Sequence, residues 1–166
     1  MLSKLHEIFS RFLNGLAFFM PGGETVRPWL QKIRGVRIGK NLFISRFVYI
    51  DELHPEAITI GNNCTIGLRS SIFTHLYWGP RKSGDHASPV IIEDDVFIGP
   101  HCVILPNVKI GEGSVIQAGT VVTRNVPPHT FWGAPKAGPL ASTTTPLTQK
   151  HDYFEFMRGL RPYKNK

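Results

Sequence analysis

The sequence predicts an all-β solenoid built from triangular coils, and three observations support this. A six-residue period runs through the aliphatic residues, glycine often follows the aliphatic position, and the repeats group in threes, as a triangular coil requires. Each hexapeptide is expected to form one flat side and to point its aliphatic side chain to the axis. Eleven of the fifteen isoleucines lie on this period: Ile38, Ile44, Ile50, Ile60, Ile66, Ile72, Ile92, Ile98, Ile104, Ile110 and Ile116. Val122 occupies the last position of the series.

The repeats divide the chain into three parts. Residues 36–127 hold about four coils, residues 1–35 form a predicted N-terminal helix and lead-in, and residues 128–166 form a turn, a linker and a short C-terminal helix. The spacing after Ile50 is four residues longer than the period, and the spacing after Ile72 is fourteen residues longer, which gives a loop insertion within residues 73–91. Both insertions follow the third side of a coil. We therefore expect them at one corner, where loops on a rigid scaffold commonly build a site.

Length and charge limit the classes of partner. The chain has 166 residues, enough for one domain, and a net charge of +7. This charge favours a phosphorylated cofactor, a nucleotide-linked sugar or an anionic membrane surface. No basic cluster interleaves with aromatic residues in a nucleic-acid-binding pattern, so we expect no nucleic-acid partner. Cys64 and Cys102 occupy wall positions of the repeat, which predicts buried structural thiols and not a nucleophile or metal ligands.

The N-terminal segment is a predicted amphipathic helix. Apolar residues recur at helical spacing from Met1 to about Met20, and Pro21-Gly22-Gly23 ends the pattern. We expect this helix to cover the open end of the solenoid, since solenoids need caps. The alternative is an interfacial helix, so that residues 1–20 lie on a membrane surface. Charged residues interrupt the apolar stretch, which argues against a secretory signal. The expected location is cytoplasmic, at the inner face of the membrane if the helix is interfacial.

Three segments together resemble the hexapeptide-repeat acetyltransferases of sugars and polysaccharides. They are Thr74-His75 at the root of the long loop, Ile98-Gly99 followed by Pro106-Asn107-Val108, and the stretch Ile116-Gln117-Ala118-Gly119-Thr120-Val121-Val122-Thr123-Arg124-Asn125-Val126-Pro127-Pro128. The resemblance covers roughly residues 36–127. It implies a left-handed parallel β-helix, acetyl-CoA as co-substrate, and a homotrimer with active sites between neighbouring subunits. The hand comes from this resemblance alone, because ordinary parallel crossovers are right-handed.

The resemblance also implies which histidine is catalytic. The family's general base lies in a Thr-His pair at the root of such a loop, which points to His75. Imidazole titrates near neutral pH and suits deprotonation of a hydroxyl that attacks a thioester. His86, deeper in the same loop, is the alternative base or a substrate contact. Asp51, Glu52 and Glu56 lie one coil below, and we expect one of these carboxylates to orient the imidazole.

Contacts to CoA follow from the same resemblance. Ala118 would offer backbone groups to the pantetheine, and Thr123 and Arg124 would lie near the adenine end. Lys136 would meet a phosphate, in a terminal turn whose last two residues are reversed relative to the family pattern. Pro100 would stand beside the thioester. Because proline has no N–H, the donor to the oxyanion must come from elsewhere.

Acceptor contacts are expected from Tyr77, Trp78, Arg81 and His86, since aromatic faces often stack on sugar rings. The sequence thus predicts an acetyl-CoA-dependent O-acetyltransferase acting on a sugar hydroxyl, in a surface polysaccharide or a nucleotide- or lipid-linked precursor. An amino-sugar N-acetyltransferase would need the same base and groove, and a catalytically inactive structural β-helix is the alternative from another class. A zinc hydratase is disfavoured and no metal is expected, because no two of the seven histidines are five residues apart.

Overall fold

The computed structural model of the chain describes residues 2–75, 88–134, 141–146, 150 and 152–162, with side chains described from residue 7 onward. Two compact units are present, Met1–Ala134 and Pro135–Lys166. The first contains the coils and two helices. The second contains a strand pair and one short helix.

Three parallel sheets form the sides of a prism in the first unit. The first twelve strands along the chain belong to the three sheets in turn, so each of four coils contributes one strand to each side. The first sheet contains β1 (Arg37–Ile38), β4 (Ile58–Ile60), β7 (Val90–Ile92) and β10 (Lys109–Ile110); the second contains β2 (Phe43–Ile44), β5 (Thr65–Ile66), β8 (Phe97–Ile98), β11 (Val115–Ile116) and β13 (Phe131–Trp132); the third contains β3 (Tyr49–Ile50), β6 (Ser71–Ile72), β9 (Val103–Ile104) and β12 (Val121–Val122). The predicted left-handed β-helix of about four coils is confirmed.

The core of the prism consists of stacked aliphatic side chains. In the second sheet, for example, Ile44, Ile66, Ile98 and Ile116 are in register, and all four are buried. Alternate residues of a strand point to opposite faces, so the last residue of each of these strands points inward and the residue before it points out. The six-residue period is thus the spacing between one inward position and the next.

The corners need close backbone approach or a left-handed residue. A Cβ at Gly99 would lie 2.6 Å from the backbone nitrogen of Ala118, so only glycine fits between these two coils. Asn107 has φ of 61°, in keeping with the expected left-handed corner. Both insertions emerge where expected, because β3 and β6 belong to the same sheet and each is followed by an insertion.

Two helices, α1 (Leu2–Phe19) and α2 (Val26–Ile33), lie against the first coil and are here called the cap layer. The backbone nitrogens of Ile44 and Phe47 donate to the carbonyls of Gly23 and Phe18, at 2.9 and 3.0 Å, which ties this layer to the prism. No helix in the described part of the chain is both long enough and apolar enough to cross a bilayer.

The face that α1 buries is not the one its apolar pattern suggests. Ser10, Leu13, Asn14 and Ala17 are buried, whereas Ile8, Phe9, Phe12 and Phe19 are all more than half exposed. The apolar stripe expected to cover the solenoid is therefore divided, and most of its aromatic residues point outward. The helix packs against α2 through an apolar cluster of Leu13, Ala17 and Leu30, and through hydrogen bonds from the buried polar residues.

The second unit is small. Strand β14 (Ala141–Thr143) pairs antiparallel with β15 (Leu160–Pro162), and α3 (Tyr153–Gly159) precedes β15. Asp152 and Glu155 form a reciprocal capping box at the start of α3, which explains where this helix begins. It is the short C-terminal helix that the sequence predicts.

Candidate active site

His75 lies at the corner that follows the third sheet, at the root of the long insertion. Two residues earlier, the backbone nitrogen of Phe73 donates to the carbonyl of Ile104 at 3.0 Å, which keeps the chain in the sheet up to that point. Thr74 is fully buried, and its carbonyl accepts from the backbone nitrogen of Ser88 at 2.8 Å. The two ends of the insertion are thereby joined next to His75, so the rigid prism sets the position of the imidazole.

Asp51 lies beside this imidazole. Its Oδ2 atom is 2.7 Å from Nδ1 of His75, and its side chain is completely buried, whereas that of His75 is 15% exposed. The same oxygen accepts from the backbone nitrogen of Thr74 at 2.8 Å, and Oδ1 accepts from those of Leu53 and His54 at 2.9 and 3.3 Å. The carboxylate is thus held by backbone N–H groups from both insertions.

These bonds decide the charge of Asp51. Burial by itself raises the pKa of the carboxyl, but the N–H groups of Thr74, Leu53 and His54 outweigh it, and the pKa of Asp51 lies below its ordinary value. The group is therefore an anion at neutral pH. A carboxylate at Nδ1 favours the tautomer that carries its proton there, which leaves Nε2 as the basic nitrogen of His75.

The other two acidic candidates have different partners. Glu52 lies near Tyr49, where burial first and then the charge of Glu52 raise the pKa of the phenol. Glu56 places Oε1 3.3 Å from Nδ1 of His54, whose ring lies edge-on to that of His75 with centroids 6.4 Å apart. Of the three carboxylates that the sequence offered, the structure brings Asp51 into contact with the imidazole.

The predicted CoA contacts occupy two corners of the prism. Pro100 and Ala118 are exposed at the corner before the third sheet, where the carbonyl of Pro100 accepts from the backbone nitrogen of Gly119 at 2.9 Å. Thr123 and Arg124 are exposed at the corner after it, two layers or roughly 10 Å along the prism from His75. One flat side of the coil, at most about 20 Å long, separates the two groups.

Arg124 has a flat apolar partner. Its guanidinium carbon lies 5.3 Å from the ring centroid of Trp132, so a cation and an indole stand side by side on the surface. This pair fits the nucleotide end of CoA, which offers phosphate oxygens and an adenine ring. The remaining predicted contacts, Lys136, Tyr77, Trp78, Arg81 and His86, lie outside the described residues.

The cysteines do not take part. Cys64 and Cys102 are buried free thiols, and burial raises the pKa of both, which disfavours the reactive thiolate. Within the described ranges, no three side chains of histidine, cysteine, aspartate or glutamate are arranged to hold a metal ion.

A buried arginine next to the site was missed from the sequence. Arg34, which follows α2, donates from Nη2 to the carbonyl of Asp51 at 2.7 Å and from Nη1 to Oδ1 of Asn14 at 2.8 Å. A usable signal existed, because Ser10 and Asn14 stand four residues apart on α1, and Gln31 and Arg34 stand three apart at the end of α2. Two polar faces at helical spacing can bury each other.

Comparisons with known proteins identify the repeats. A model described as bacterial transferase hexapeptide (six repeats) matches residues 89–124, and one described as hexapeptide repeat of succinyl-transferase matches residues 57–76. A Vibrio cholerae hexapeptide-repeat-containing acetyltransferase, solved with acetyl coenzyme A, is similar in fold with a TM-score of 0.64 and 28% identity, over 79% of this chain and 83% of that one. The chain contains the hexapeptide repeats of this transferase family and is similar to hexapeptide-repeat acetyltransferases.

Other members of the family are also similar. The galactoside acetyltransferase solved with coenzyme A has a TM-score of 0.56 and 26% identity, over 79% of this chain and 77% of that one. The galactoside O-acetyltransferase of Escherichia coli is 35% identical over 109 residues, which are 61% of this chain and 54% of that protein. A predicted acetyltransferase of Bacillus subtilis is 36% identical over 109 residues, 65% of this chain and 62% of that protein. The chain thus spans roughly half to three fifths of these curated relatives.

Proposed function

We propose that this protein transfers an acetyl group from acetyl-CoA to a hydroxyl of a sugar acceptor, in a surface polysaccharide or a nucleotide- or lipid-linked precursor. The observation that carries the proposal is the contact between His75 and the buried, ionised Asp51 at the root of the long insertion. Relatives named galactoside O-acetyltransferase and galactoside acetyltransferase support a sugar acceptor. The contact also argues against an inactive scaffold, which would not need a buried carboxylate at an imidazole.

The proposed chemistry is direct transfer with His75 as general base. Nε2 of His75 accepts the proton of the acceptor hydroxyl while its oxygen forms a bond to the thioester carbonyl carbon. Asp51, at Nδ1, stabilises the resulting imidazolium. The C–S bond then breaks, and the imidazolium returns the proton to the leaving sulfur, so His75 ends the cycle neutral. The products are the acetyl ester of the sugar and free CoA. An amino-sugar acceptor would follow the same steps with nitrogen as nucleophile.

The test is a screen of sugars and nucleotide-linked sugars with acetyl-CoA, read by release of free thiol. Transfer to a hydroxyl acceptor, with the ester identified by mass spectrometry, is the expected result. Transfer to amino sugars alone would mean that the protein is an N-acetyltransferase and not an O-acetyltransferase. Thiol release that is equal with and without every acceptor would contradict the proposal.

We also propose a homotrimer in which neighbouring subunits share the site. The second sheet carries a row of exposed apolar side chains, Phe97, Val115 and Phe131, on its outer face. An apolar row of this kind on a soluble surface marks an interaction site. Sharing would also let Pro100 of one subunit approach His75 of the next. A mass in solution of about three times the 18.6 kDa chain is expected, and a monomer at all concentrations would contradict it.

A second property proposed for this protein is association of the cap layer with an anionic membrane surface. Exposed Ile8, Phe12 and Phe19 lie on one side of α1, while Ser10 and Asn14 lie on the buried side. This is the orientation of an interfacial helix, whose apolar face enters the boundary between headgroups and acyl chains. A cap that served only to cover the solenoid would bury those aromatic residues instead.

The charge distribution favours an anionic partner. Residues 1–46 contain eight basic and two acidic residues, so +6 of the net charge of +7 lies in this part of the chain. Arg11, Lys32, Arg37 and Arg46 are exposed there. Basic residues near an anionic bilayer contribute about 1 kcal/mol each, and this attraction decreases with salt.

Vesicle co-sedimentation tests this association. The protein should bind vesicles of phosphatidylcholine with phosphatidylserine, and should bind phosphatidylcholine alone far less. Phe12→Ser should lower binding by roughly tenfold or more, since burial of a phenylalanine contributes about 1.5–3 kcal/mol. Phe154→Ser, a similarly exposed phenylalanine on α3, is the matched control and should bind normally. Equal binding to both vesicle types, or an equal loss in the two variants, would contradict the proposal.

A further inference from the structure

Arg34 is a buried cation that contacts only neutral oxygen atoms among its described partners. Its Nη2 donates to the carbonyl of Asp51 at 2.7 Å. Its Nη1 donates to Oδ1 of Asn14 at 2.8 Å and to Oε1 of Gln31, and its Nε donates to Oγ of Ser10 at 3.3 Å. One guanidinium thus joins α1, α2 and the residue that contacts His75.

This arrangement is costly for folding alone. Arg34 is 3% exposed, and burial lowers its pKa to about 10, although the nearby Tyr49, Asp51 and Glu52 oppose that effect. The side chain therefore remains charged at neutral pH. A buried charge without a bonded carboxylate is less favourable than an apolar contact of the same size. Leu13 and Ala17 of α1 already pack with Leu30 of α2, so apolar contacts between the two helices are present without the guanidinium.

Asp51 is held from two sides. From the prism, its backbone nitrogen donates to the carbonyl of Ile72 at 3.0 Å, and its carboxylate meets Thr74 and His75. From the cap layer, Arg34 holds its carbonyl. A change in the Asp51–Glu52 peptide plane would release the N–H groups of Leu53 and His54 that fix Oδ1.

We propose that Arg34 is a positioning residue for the Asp51–His75 pair, and that α1 serves catalysis by fixing the guanidinium. The inference rests on the proposed acetyl transfer only for its kinetic consequence. Arg34 touches neither the imidazole nor a substrate; it acts through the backbone of Asp51. Ser10 and Asn14 supply the acceptors that set the plane of the guanidinium. The polar face of α1 therefore positions Arg34, a role that its exposed apolar face does not have.

Arg27 provides a matched control. Arg27 lies on α2 and, like Arg34, is buried, at 5% exposed. Its Nε donates to the prism backbone at the carbonyl of Ile44, at 2.7 Å, and its Nη1 donates to the carbonyl of Met20 at 2.6 Å. Ile44 belongs to the second sheet and not to the corner of His75. Arg27→Met and Arg34→Met should therefore destabilise the cap layer alike and differ at the site.

The experiment compares the two variants by nitrogen-15 NMR of the histidine rings and by steady-state kinetics. The His75 signals are assigned by their loss in His75→Gln. Arg34→Met should shift His75 from the Nδ1–H tautomer towards a mixture, and should lower kcat by roughly ten- to hundredfold with the KM for acetyl-CoA within about twofold. Arg34→Lys, which retains a donor for Asp51, should recover part of both readouts. Arg27→Met should change neither.

Two outcomes would overturn the inference. One is an Arg34→Met variant that is folded and keeps the wild-type tautomer. The other is an equal change in tautomer or kcat for Arg27→Met, which would indicate general loosening of the cap layer. In the Asp51→Ala background, Arg34→Met should cause little further loss of kcat, because the two residues act as one unit. The tautomer readout needs no acceptor, so failure of the proposed acetyl transfer would leave this inference testable.

Discussion

The prism and the cap layer differ in how much polar surface they bury. The prism stacks isoleucines such as Ile66 and Ile98 along its axis, in a core of aliphatic and cysteine side chains. The cap layer buries Ser10, Asn14 and Arg34 beside a small apolar cluster and leaves aromatic side chains in solvent. Apolar burial accounts for the stability of the prism. The polar network of the cap layer holds the backbone of Asp51 in place through Arg34. The candidate site lies where the two regions meet, at Asp51.

The largest expected effect is on catalysis at this meeting point. His75→Ala should lower kcat by roughly 10²- to 10⁴-fold, because loss of a general base is felt mainly in the transition state. The KM for acetyl-CoA and the oligomeric mass should remain close to wild type. The measurement is initial-rate kinetics with the acceptor found in the screen.

His54→Ala and His86→Ala are the controls for that variant. The His54 ring lies near that of His75 but is not bonded to Asp51 through its side chain, and its backbone N–H is retained in alanine. Both controls should lose far less activity than His75→Ala. If His86→Ala abolished turnover while His75→Ala kept it, the base would belong to the loop and not to the prism corner.

The next effect compares one substitution in the two regions. Ile98 in the prism is fully buried, whereas Ile8 on α1 is 65% exposed. Ile98→Ala should lower the free energy of unfolding by about 2–5 kcal/mol, because it leaves a cavity in a stack that cannot collapse easily. Ile8→Ala should change it by less than about 0.5 kcal/mol. Urea unfolding measures both, and a similar loss in the two variants would mean that α1 packs its apolar face inward in solution.

Much of the prism could be predicted from sequence, and the reason is physical. In a repeat, the environment of each position is set by its place in the period, so Ile98 is buried for the same reason as Ile66. His75 could be placed because it follows the Ile72 position by three residues. The choice of Asp51 over Glu52 or Glu56 could not be made, because it depends on which carboxylate faces the N–H groups of the neighbouring coil.

The cap layer shows where such prediction stops. An apolar period identifies an amphipathic helix but does not show which face is buried when both faces have a possible partner. The buried face of α1 contains Asn14, which Gln31 and Arg34 bond from the end of the next helix, together with the cluster of Leu13 and Ala17. Nothing in the period of α1 itself contains that information.

The third prediction tests the carboxylate that both regions hold. Asp51→Asn should lower the free energy of unfolding at neutral pH by about 1–3 kcal/mol, because the amide directs a donor at backbone N–H groups that need an acceptor. The pKa of Asp51 is lowered in the folded state. Its stabilising contribution is therefore present above the ordinary carboxyl pKa of about 3.9 and is lost as the pH falls through the folded value.

Urea unfolding of Asp51→Asn at pH 7 and at pH 3 measures this linkage. The wild-type protein should lose more stability than the variant as the pH falls below about 4, since the variant lacks the titrating group. Parallel pH profiles for the two proteins would contradict the lowered pKa. Parallel profiles would also be observed if a glutamate, and not Asp51, contacted His75 in solution. The tautomer of His75 in Asp51→Asn should therefore be recorded on the same samples.

The smallest expected effect concerns the end of the prism that lies farthest along the coils from the cap layer. Arg124 stands over Trp132 at 5.3 Å, and Arg69, beside the cap layer, stands over Phe47 at 5.6 Å. Both arginines are exposed, so each forms a similar surface pair.

Arg124→Ala should raise the KM for acetyl-CoA by about three- to tenfold with little change in kcat, as expected for a contact made equally in the ground and transition states. Arg69→Ala should leave that KM unchanged. Arg124 is expected to contact the cofactor and Arg34 is proposed to position Asp51, so their effects should add when the two substitutions are combined. An unchanged KM in Arg124→Ala would remove this corner from the CoA site, and a strong coupling with Arg34→Met would mean that the cap layer reaches the whole prism and not only its first corner.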